Sequence, residues 1–312
     1  MTTLDEAKAL AEELFADADE VDRLPVLPRE RLDRFAHAGL YGLSVSGIEM
    51  QDGWPIVAAL AGGCLTTTFV WMQHLGAARA GAALPGFEGL ATGELRSTAA
   101  FAGLRPDAPL RATPTGDGWL LEGASPFVTG WGLADLVHTA VRTPDDEVVW
   151  LLVDATECDT LTVEPLPLLA VNASATVTAR FHGHHVAADR ETHRFPWAAW
   201  PAMDAAGLRN NGSLAVGVAE RCVRLLGEPA SLVHELTALT AALDSNDPAT
   251  LPEARAAASA FAHRVATALV VERGSGAVVS GTMANRLLRE ATVLLVFGGR
   301  PSIKDALLPR FT

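Results

Sequence analysis

Within the segment Ser125-Pro-Phe-Val-Thr-Gly-Trp-Gly-Leu-Ala-Asp135, the aromatic Phe127 and the hydroxyl of Thr129 sit close together, just ahead of the apolar run Leu136–Arg142. A rigid strand carrying such a pair offers an apolar wall and a hydrogen-bonding group at once, which is what a planar ligand requires. The plain alternative is an ordinary strand of a β-sandwich. The chain holds three other constellations. His182-Gly-His184-His185 has metal-ligand residue types but no accompanying carboxylate or cysteine cluster, so no metal is expected. Gly274-Ser-Gly276 resembles a phosphate cradle only superficially, because it follows a helical pattern with no strand before it, and it reads as a helix break. His74, alone in an apolar helical stretch, reads as a satisfied core residue.

The elements that must position these residues change period twice. Leu4, Ala7, Leu10, Ala11 and Leu14 recur at helical spacing, as do Ile56, Leu60 and Cys64 after an apparent break at Asp52-Gly53-Trp54-Pro55. Strand signals then cover Trp119–Glu122, Leu136–Arg142, Val148–Asp154, Leu161–Pro165 and Thr176–Phe181, separated by turns such as Thr115-Gly-Asp-Gly118 and Thr143-Pro-Asp-Asp146. Helical spacing returns over Gly212–Leu226. Thr250 with Glu253 predicts a capping box opening a helix through Arg273, a further helix spans Met283–Phe297, and Pro301 starts a short one ending near Leu308.

At 312 residues and 49% hydrophobic, the chain is long enough to bury a large core and divide into modules. A net charge of −13 argues against a nucleic-acid backbone or an anionic membrane as partner, since both favour clustered Lys and Arg. Cys64, Cys158 and Cys222 lack metal spacing and form no even set, so reduced thiols are expected. The polar start Met1-Thr-Thr-Leu-Asp-Glu lacks the basic and apolar regions of a signal peptide. No stretch reaches the ~18–20 apolar residues of a membrane span. A cytoplasmic protein is the expectation.

The 125–135 segment resembles the flavin-facing strand of the acyl-CoA dehydrogenase superfamily, which reads roughly Gly-x-Lys-x-(Trp/Phe)-(Ile/Val)-Thr-Asn-Gly-x-x-Ala-Asp. Ala38-Gly39-Leu40-Tyr41-Gly42-Leu43, Phe69-Val-Trp-Met-Gln-His74, Val186-Ala-Ala-Asp189-Arg190 and Arg286-Leu-Leu-Arg289-Glu290-Ala291 are similar to further family segments, in the family's order. The resemblance implies an α+β, mostly α, fold: a helical N-terminal domain (1–96), a central antiparallel β-sandwich (97–190) and a C-terminal helical bundle (191–312). It also implies FAD, with Phe127, Val128, Thr129 and Thr98 as its contacts, an acyl-CoA or related substrate, and a homodimer, homotetramer or heteromer.

Dehydrogenation in that family removes an α-proton with a glutamate whose pKa is raised in a dry site, as hydride passes to the flavin. The two positions the family uses for this base fall on Gly298 and Gly207, and the nearest carboxylate to the second is Asp204, a helix cap in its structural reading and a base in its chemical one. Glu220 and Glu290, on helix interiors beside arginines, read as ion-pair partners. The adenosine end of FAD is thinly provided. Arg224-Leu-Leu-Gly-Glu-Pro lacks the family's aromatic and glutamine, and Ser97-Thr-Ala-Ala-Phe-Ala-Gly-Leu-Arg105 replaces its Thr-Glu-Pro-x-x-Gly-Ser-Asp loop. FAD is therefore expected to be weakly bound or shared across subunits. Three functions follow: an FAD-dependent oxidoreductase acting on the α,β bond of an acyl thioester, a non-catalytic subunit of a heteromeric acyl-CoA dehydrogenase, and a flavin-dependent monooxygenase of the same fold.

Overall fold

The computed structural model describes residues 3–47, 50–105 and 109–312, apart from the side chains of Met50 and Ala206. Met1 and Thr2 of the polar start lie outside them. Six helices come first: α1 (Leu4–Ala16), α2 (Ala18–Val21), α3 (Arg29–His37), α4 (Met50–Gly63), α5 (Leu65–Met72) and α6 (Leu75–Gly81). Eight strands follow: β1 (Ser97–Ala100), β2 (Leu110–Pro114), β3 (Gly118–Val128), β4 (Leu136–Arg142), β5 (Glu147–Asp154), β6 (Leu161–Pro165), β7 (Val177–Ala187) and β8 (Glu191–Pro196). The chain closes with α7 (Trp200–Ala206), α8 (Leu208–Leu225), α9 (Ala230–Asp244), α10 (Leu251–Arg273), α11 (Met283–Val296) and α12 (Pro301–Leu307). This is the α, β, α order expected from the sequence.

Several local expectations change. The Asp52-Gly53-Trp54-Pro55 stretch does not interrupt the helix. It lies near the start of α4, where a proline forfeits a single backbone bond. The capping box forms at the other end of the chain: Thr3 Oγ1 accepts from the Glu6 N–H at 3.2 Å, and the Glu6 carboxylate accepts from the Thr3 N–H at 2.7 Å. Thr250 makes no such bond because its backbone is already helical rather than extended, and Glu253 pairs with Arg310. The sheet also runs through Pro196, past the boundary expected at 190, because the residues after Arg190 pair with β5 from Glu147 to Leu151.

The strands form one mixed sheet, ordered β6-β7-β3-β2-β4-β5-β8, with β1 on β4. Pairing is antiparallel except for β1 on β4 and the single bridge Arg111↔Arg142 between β2 and β4. Parallel entry of β1 has a local cause. The Arg96 N–H donates to the Asp135 carboxylate at 2.8 Å and the Leu136 N–H to the Arg96 carbonyl at 3.0 Å, which pins the start of β1 beside the start of β4. Since β2 and β4 meet at one bridge, the two halves close over a shared core. Leu110, Trp119, Leu121 and Phe181 come from one half, and Val137, Val141, Val149 and Leu151 from the other.

The N-terminal helices and the C-terminal bundle share one core, joined where α4 crosses α8. The α8 stripe Leu214, Val218 and Cys222 is fully buried. At the crossing the backbones touch: a Cβ built on Gly217 lies 2.0 Å from the Ala58 carbonyl oxygen, and one on Gly62 lies 2.7 Å from the Gly217 carbonyl oxygen. Arg221, one turn further on, donates to the Gly62 carbonyl at 2.8 Å and to the two Glu12 carboxylate oxygens at 2.9 and 2.8 Å, tying α1, α4 and α8 together. Arg224 also reaches Glu12. Glu12 thus takes the arginine partners expected for Glu220, whereas Glu290 does pair with Arg286, at 3.1 Å.

Gly217→Ala is expected to lower stability by on the order of 3 kcal/mol or more, because backbone rather than a flexible side chain must yield. Gly116→Ala, with nothing within 4 Å of its built Cβ, should stay within about 0.5 kcal/mol of the parent. Urea unfolding of both variants checks the contrast.

Candidate functional site

β3 ends in a bulge that sets the wall singled out in the sequence. The register with β7 shifts between Ser125 and Val128, and Phe127 takes φ +60, a left-handed conformation that turns its ring outward. Phe127 is 54% exposed, with the Arg105 guanidinium 6.0 Å from its ring centroid. Its neighbours turn inward. Val128 is fully buried, and Thr98 and Thr129 are 1% and 2% exposed. The Thr129 hydroxyl meets Thr176 Oγ1 at 3.0 Å, which meets Ser174 Oγ at 2.8 Å, and the Thr98 hydroxyl donates to the Thr129 carbonyl. A Cβ built on Gly130 touches Val70 of α5 at 3.2 Å, so α5 closes over the turn.

A flavin ring lying on this wall requires its contact side chains to be open when the ring is absent. Three of the four are sealed. Phe127 alone is reachable, and the hydroxyl of Thr129 is engaged inside a Ser174–Thr176–Thr129 chain. As placed in this chain, these residues do not fit an isoalloxazine ring.

One of the positions expected for a base, Gly298, follows a residue that α5 also contacts. Phe69 of α5 packs edge-on against Phe297, with ring centroids 4.8 Å apart. Gly298 follows with φ +61, and a Cβ built there sits 3.1 Å from Asn211 Nδ2 of α8. The amide of Asn211 therefore stands where a side chain at 298 would emerge. Gly207, by contrast, is an exposed junction between α7 and α8 with only the Asp204 carbonyl oxygen near its built Cβ, at 3.4 Å.

Asp204 does not cap α8. It lies within α7, and both of its carboxylate oxygens and its backbone carbonyl accept from Arg300, the residue two past Gly298. Bidentate pairing of this kind is geometrically specific. α7 is held at its start as well, where the Trp200 ring lies within 12° of parallel to Trp197 and Phe195, with centroids 6.5 and 6.4 Å away. The structure thus brings Gly298, Asp204 and Gly207 into one region, and adds Asn211 and Arg300, which sequence reasoning missed. A lone arginine after the Gly298-Gly299 pair was the available signal, and its carboxylate partner lies ninety-six residues away.

The remaining constellations are structural. His184 Nδ1 meets Thr160 Oγ1 at 2.9 Å and His185 Nε2 meets Asp117 at 3.1 Å, while Gly183 (φ +62) forms a bulge between His182 and His184. Among the described residues, no group of three or more His, Cys, Asp or Glu is arranged to hold a metal. Cys64 and Cys222 are buried free thiols and Cys158 is an exposed one. Gly274–Val278 is a 3₁₀ turn continuing α10. Two surface grooves, one lined by Arg111, Thr113 and Arg142 and one by Val223, Leu236 and Thr240, include no residue of the Phe127 to Arg300 region. No described helix is long and apolar enough to cross a membrane.

No protein-family model matches the sequence, and no curated protein does either. Solved structures match nearly the whole chain. Butyryl-CoA dehydrogenase from Megasphaera elsdenii is 15% identical, with 99% of this chain and 97% of that one covered at a TM-score of 0.82. A probable acyl-CoA dehydrogenase from Mycobacterium abscessus is 18% identical, covering 99% and 97% at 0.80. FkbI, described for biosynthesis of the methoxymalonyl extender unit of the polyketide FK520, is 17% identical, covering 98% and 99% at 0.80. The chain has the acyl-CoA dehydrogenase fold, as the resemblance implied.

His74 is the core residue expected. The Ser97 N–H donates to its Nδ1 at 3.0 Å, which leaves the ring proton on Nε2, facing the Leu90 carbonyl at 2.8 Å. Burial lowers its pKa to about 4, and burial with neighbouring His193 lowers that of His138 to about 3. The unfolded chain takes up these protons near pH 6.5 and the folded chain does not, so this stability is present above pH 6.5 and lost as pH falls toward 4. Urea unfolding should show a loss on the order of 2 kcal/mol per histidine between pH 7 and 5. His74→Gln is expected to flatten that slope, and an unchanged slope contradicts the assignment.

Proposed function

We propose that this chain, an acyl-CoA dehydrogenase fold without a base of its own, serves as the non-catalytic subunit of a heteromeric acyl-CoA dehydrogenase-type assembly, with a partner chain supplying the base and the FAD grip. One observation carries the reading. Gly298 is backed by the Asn211 amide, and Asp204, the carboxylate the sequence offered as a base, is wholly engaged by Arg300. A base for α-proton removal needs a carboxylate within reach of the substrate carbon and free to take the proton. A carboxylate bound through both oxygens to a guanidinium, with its backbone carbonyl held too, is instead a latch between α7 and the α11–α12 loop.

The closed wall around Thr129 weighs against the two self-sufficient readings. An FAD-dependent dehydrogenase and a flavin monooxygenase both need the ring seated where Val128, Thr129 and Thr98 are buried. A partner role is further supported by apolar surface. Val271 in the last turn of α10, and Val278 and Val279 in and just after the 3₁₀ turn that follows it, are 75%, 72% and 59% exposed. Exposed apolar surface marks association sites where it forms a contiguous patch. An acyl thioester, if bound, would be shared with the partner.

The isolated protein is expected to show no acyl-CoA-dependent dye reduction, and Gly298→Glu alone is expected not to create it, since the Asn211 amide occupies the exit of that side chain. Co-expression with a base-containing acyl-CoA dehydrogenase chain should yield a complex with fewer flavins than chains. Turnover by the isolated chain at rates of about 1 s⁻¹ or more, in the ordinary enzymatic range, overturns the reading.

A further inference from the structure

The loop joining α11 to α12 is flanked by two guanidinium groups that are not neutralised between them. Arg255, in the first turns of α10, is 1% exposed. Its Nη2 donates to the carbonyls of Leu294 at 3.1 Å and Phe297 at 3.5 Å, the last turn of α11, where a cation suits the helix dipole. That role uses one nitrogen of three. Nε and Nη1 are buried without a partner, and so is Nη1 of Arg300. Arg255 thus reaches the carbonyl of Phe297, three residues before Arg300, and burial, together with the charge of Arg300, depresses the Arg255 pKa to about 10. Arg209, on α8, cannot serve here, because its nitrogens are spent on Asp244 and Ser213. Asp204 answers Arg300 and not Arg255, and three guanidinium nitrogens are left without a partner. Buried charge short of partners is costly, and the guanidinium fork is shaped for a bidentate oxyanion.

We propose that Arg255 and Arg300 form an anion subsite for the carboxylate of a small organic acid, and that Asp204 is the internal carboxylate occupying Arg300 until such a ligand displaces it. Asp204 itself shows which anion the fork of Arg300 accepts: a carboxylate taken through Nε and Nη2. Arg255 brings two further buried, unpartnered donors, Nε and Nη1, to the same loop. The half-buried Asn211, with no side-chain partner among the described hydrogen bonds, adds an amide beside Gly298. Exchange of one carboxylate for another frees the Asp204 end of α7, a helix already half-exposed at Met203. The site needs only this chain, so it stands or falls independently of any partner subunit.

Calorimetric titration of the full chain with succinate at constant ionic strength tests this, with succinamide and inorganic phosphate as comparisons. Asp204→Asn removes the internal competitor and is expected to tighten succinate binding at least tenfold. Arg300→Gln is expected to weaken it at least tenfold, and succinamide is expected not to bind. Because Arg255 also caps α11, Arg255→Lys is used there, with circular dichroism to confirm folding, and a several-fold weakening is expected. Absence of saturable succinate binding in both the parent and Asp204→Asn, or an affinity unmoved by Arg300→Gln, overturns the proposal. Tighter binding of phosphate than of succinate overturns the assignment to a carboxylate.

Discussion

The contact of α4 with α8 is the constraint on which the rest of this molecule depends. Two backbones meet with no side chain between them, at Gly62, Gly217 and Ala58, and Arg221 fastens the crossing to Glu12 of α1. Close backbone approach fixes the axial position of α8 as well as its angle. Six residues before Gly217 stands Asn211 and ten before it stands Gly207. The crossing therefore decides what faces Gly298, and the answer is an amide rather than open space.

A second consequence concerns charge. Within and between the bundle and the N-terminal helices, buried and partly buried arginines are paired: Arg31 with Asp17, Arg209 with Asp244, and, across the two, Arg286 with Asp19 and Arg289 with Asp22. Such partly buried pairs are costly to break because the surviving charge stays desolvated. Against that background the α11–α12 loop stands apart, with Arg255 lacking a carboxylate and Arg300 holding the one available. The imbalance lies beside Gly298, one of the two positions where the resemblance in the sequence would put a base.

Much of the architecture was legible in the sequence because period is a local property. Leu4 to Leu14 and Leu214 to Cys222 announce amphipathic helices, and β4 and β6 match their expected spans at Leu136–Arg142 and Leu161–Pro165. What escaped depends on partners distant in the chain. β8 carries the half-buried His193 and Phe195 without clean alternation, and becomes a strand only because β5 offers an edge. The capping box at Thr250 failed because the preceding turn already made that residue helical. Thr129 could be identified from its segment, but its burial follows from Thr176 and from α5, neither of which is adjacent in sequence. Arg300 and Asp204, ninety-six residues apart, meet only in the fold.

The claim that matters most is that this chain, by itself, lacks a seat for the flavin ring despite having the fold and the strand motif. Titration of FAD into the isolated protein, followed by flavin fluorescence, tests it most directly. The account predicts emission that stays that of free FAD across the titration, because Val128, Thr129 and Thr98 are buried and the exposed Phe127 alone does not hold the ring. Saturable quenching at one FAD per chain contradicts it.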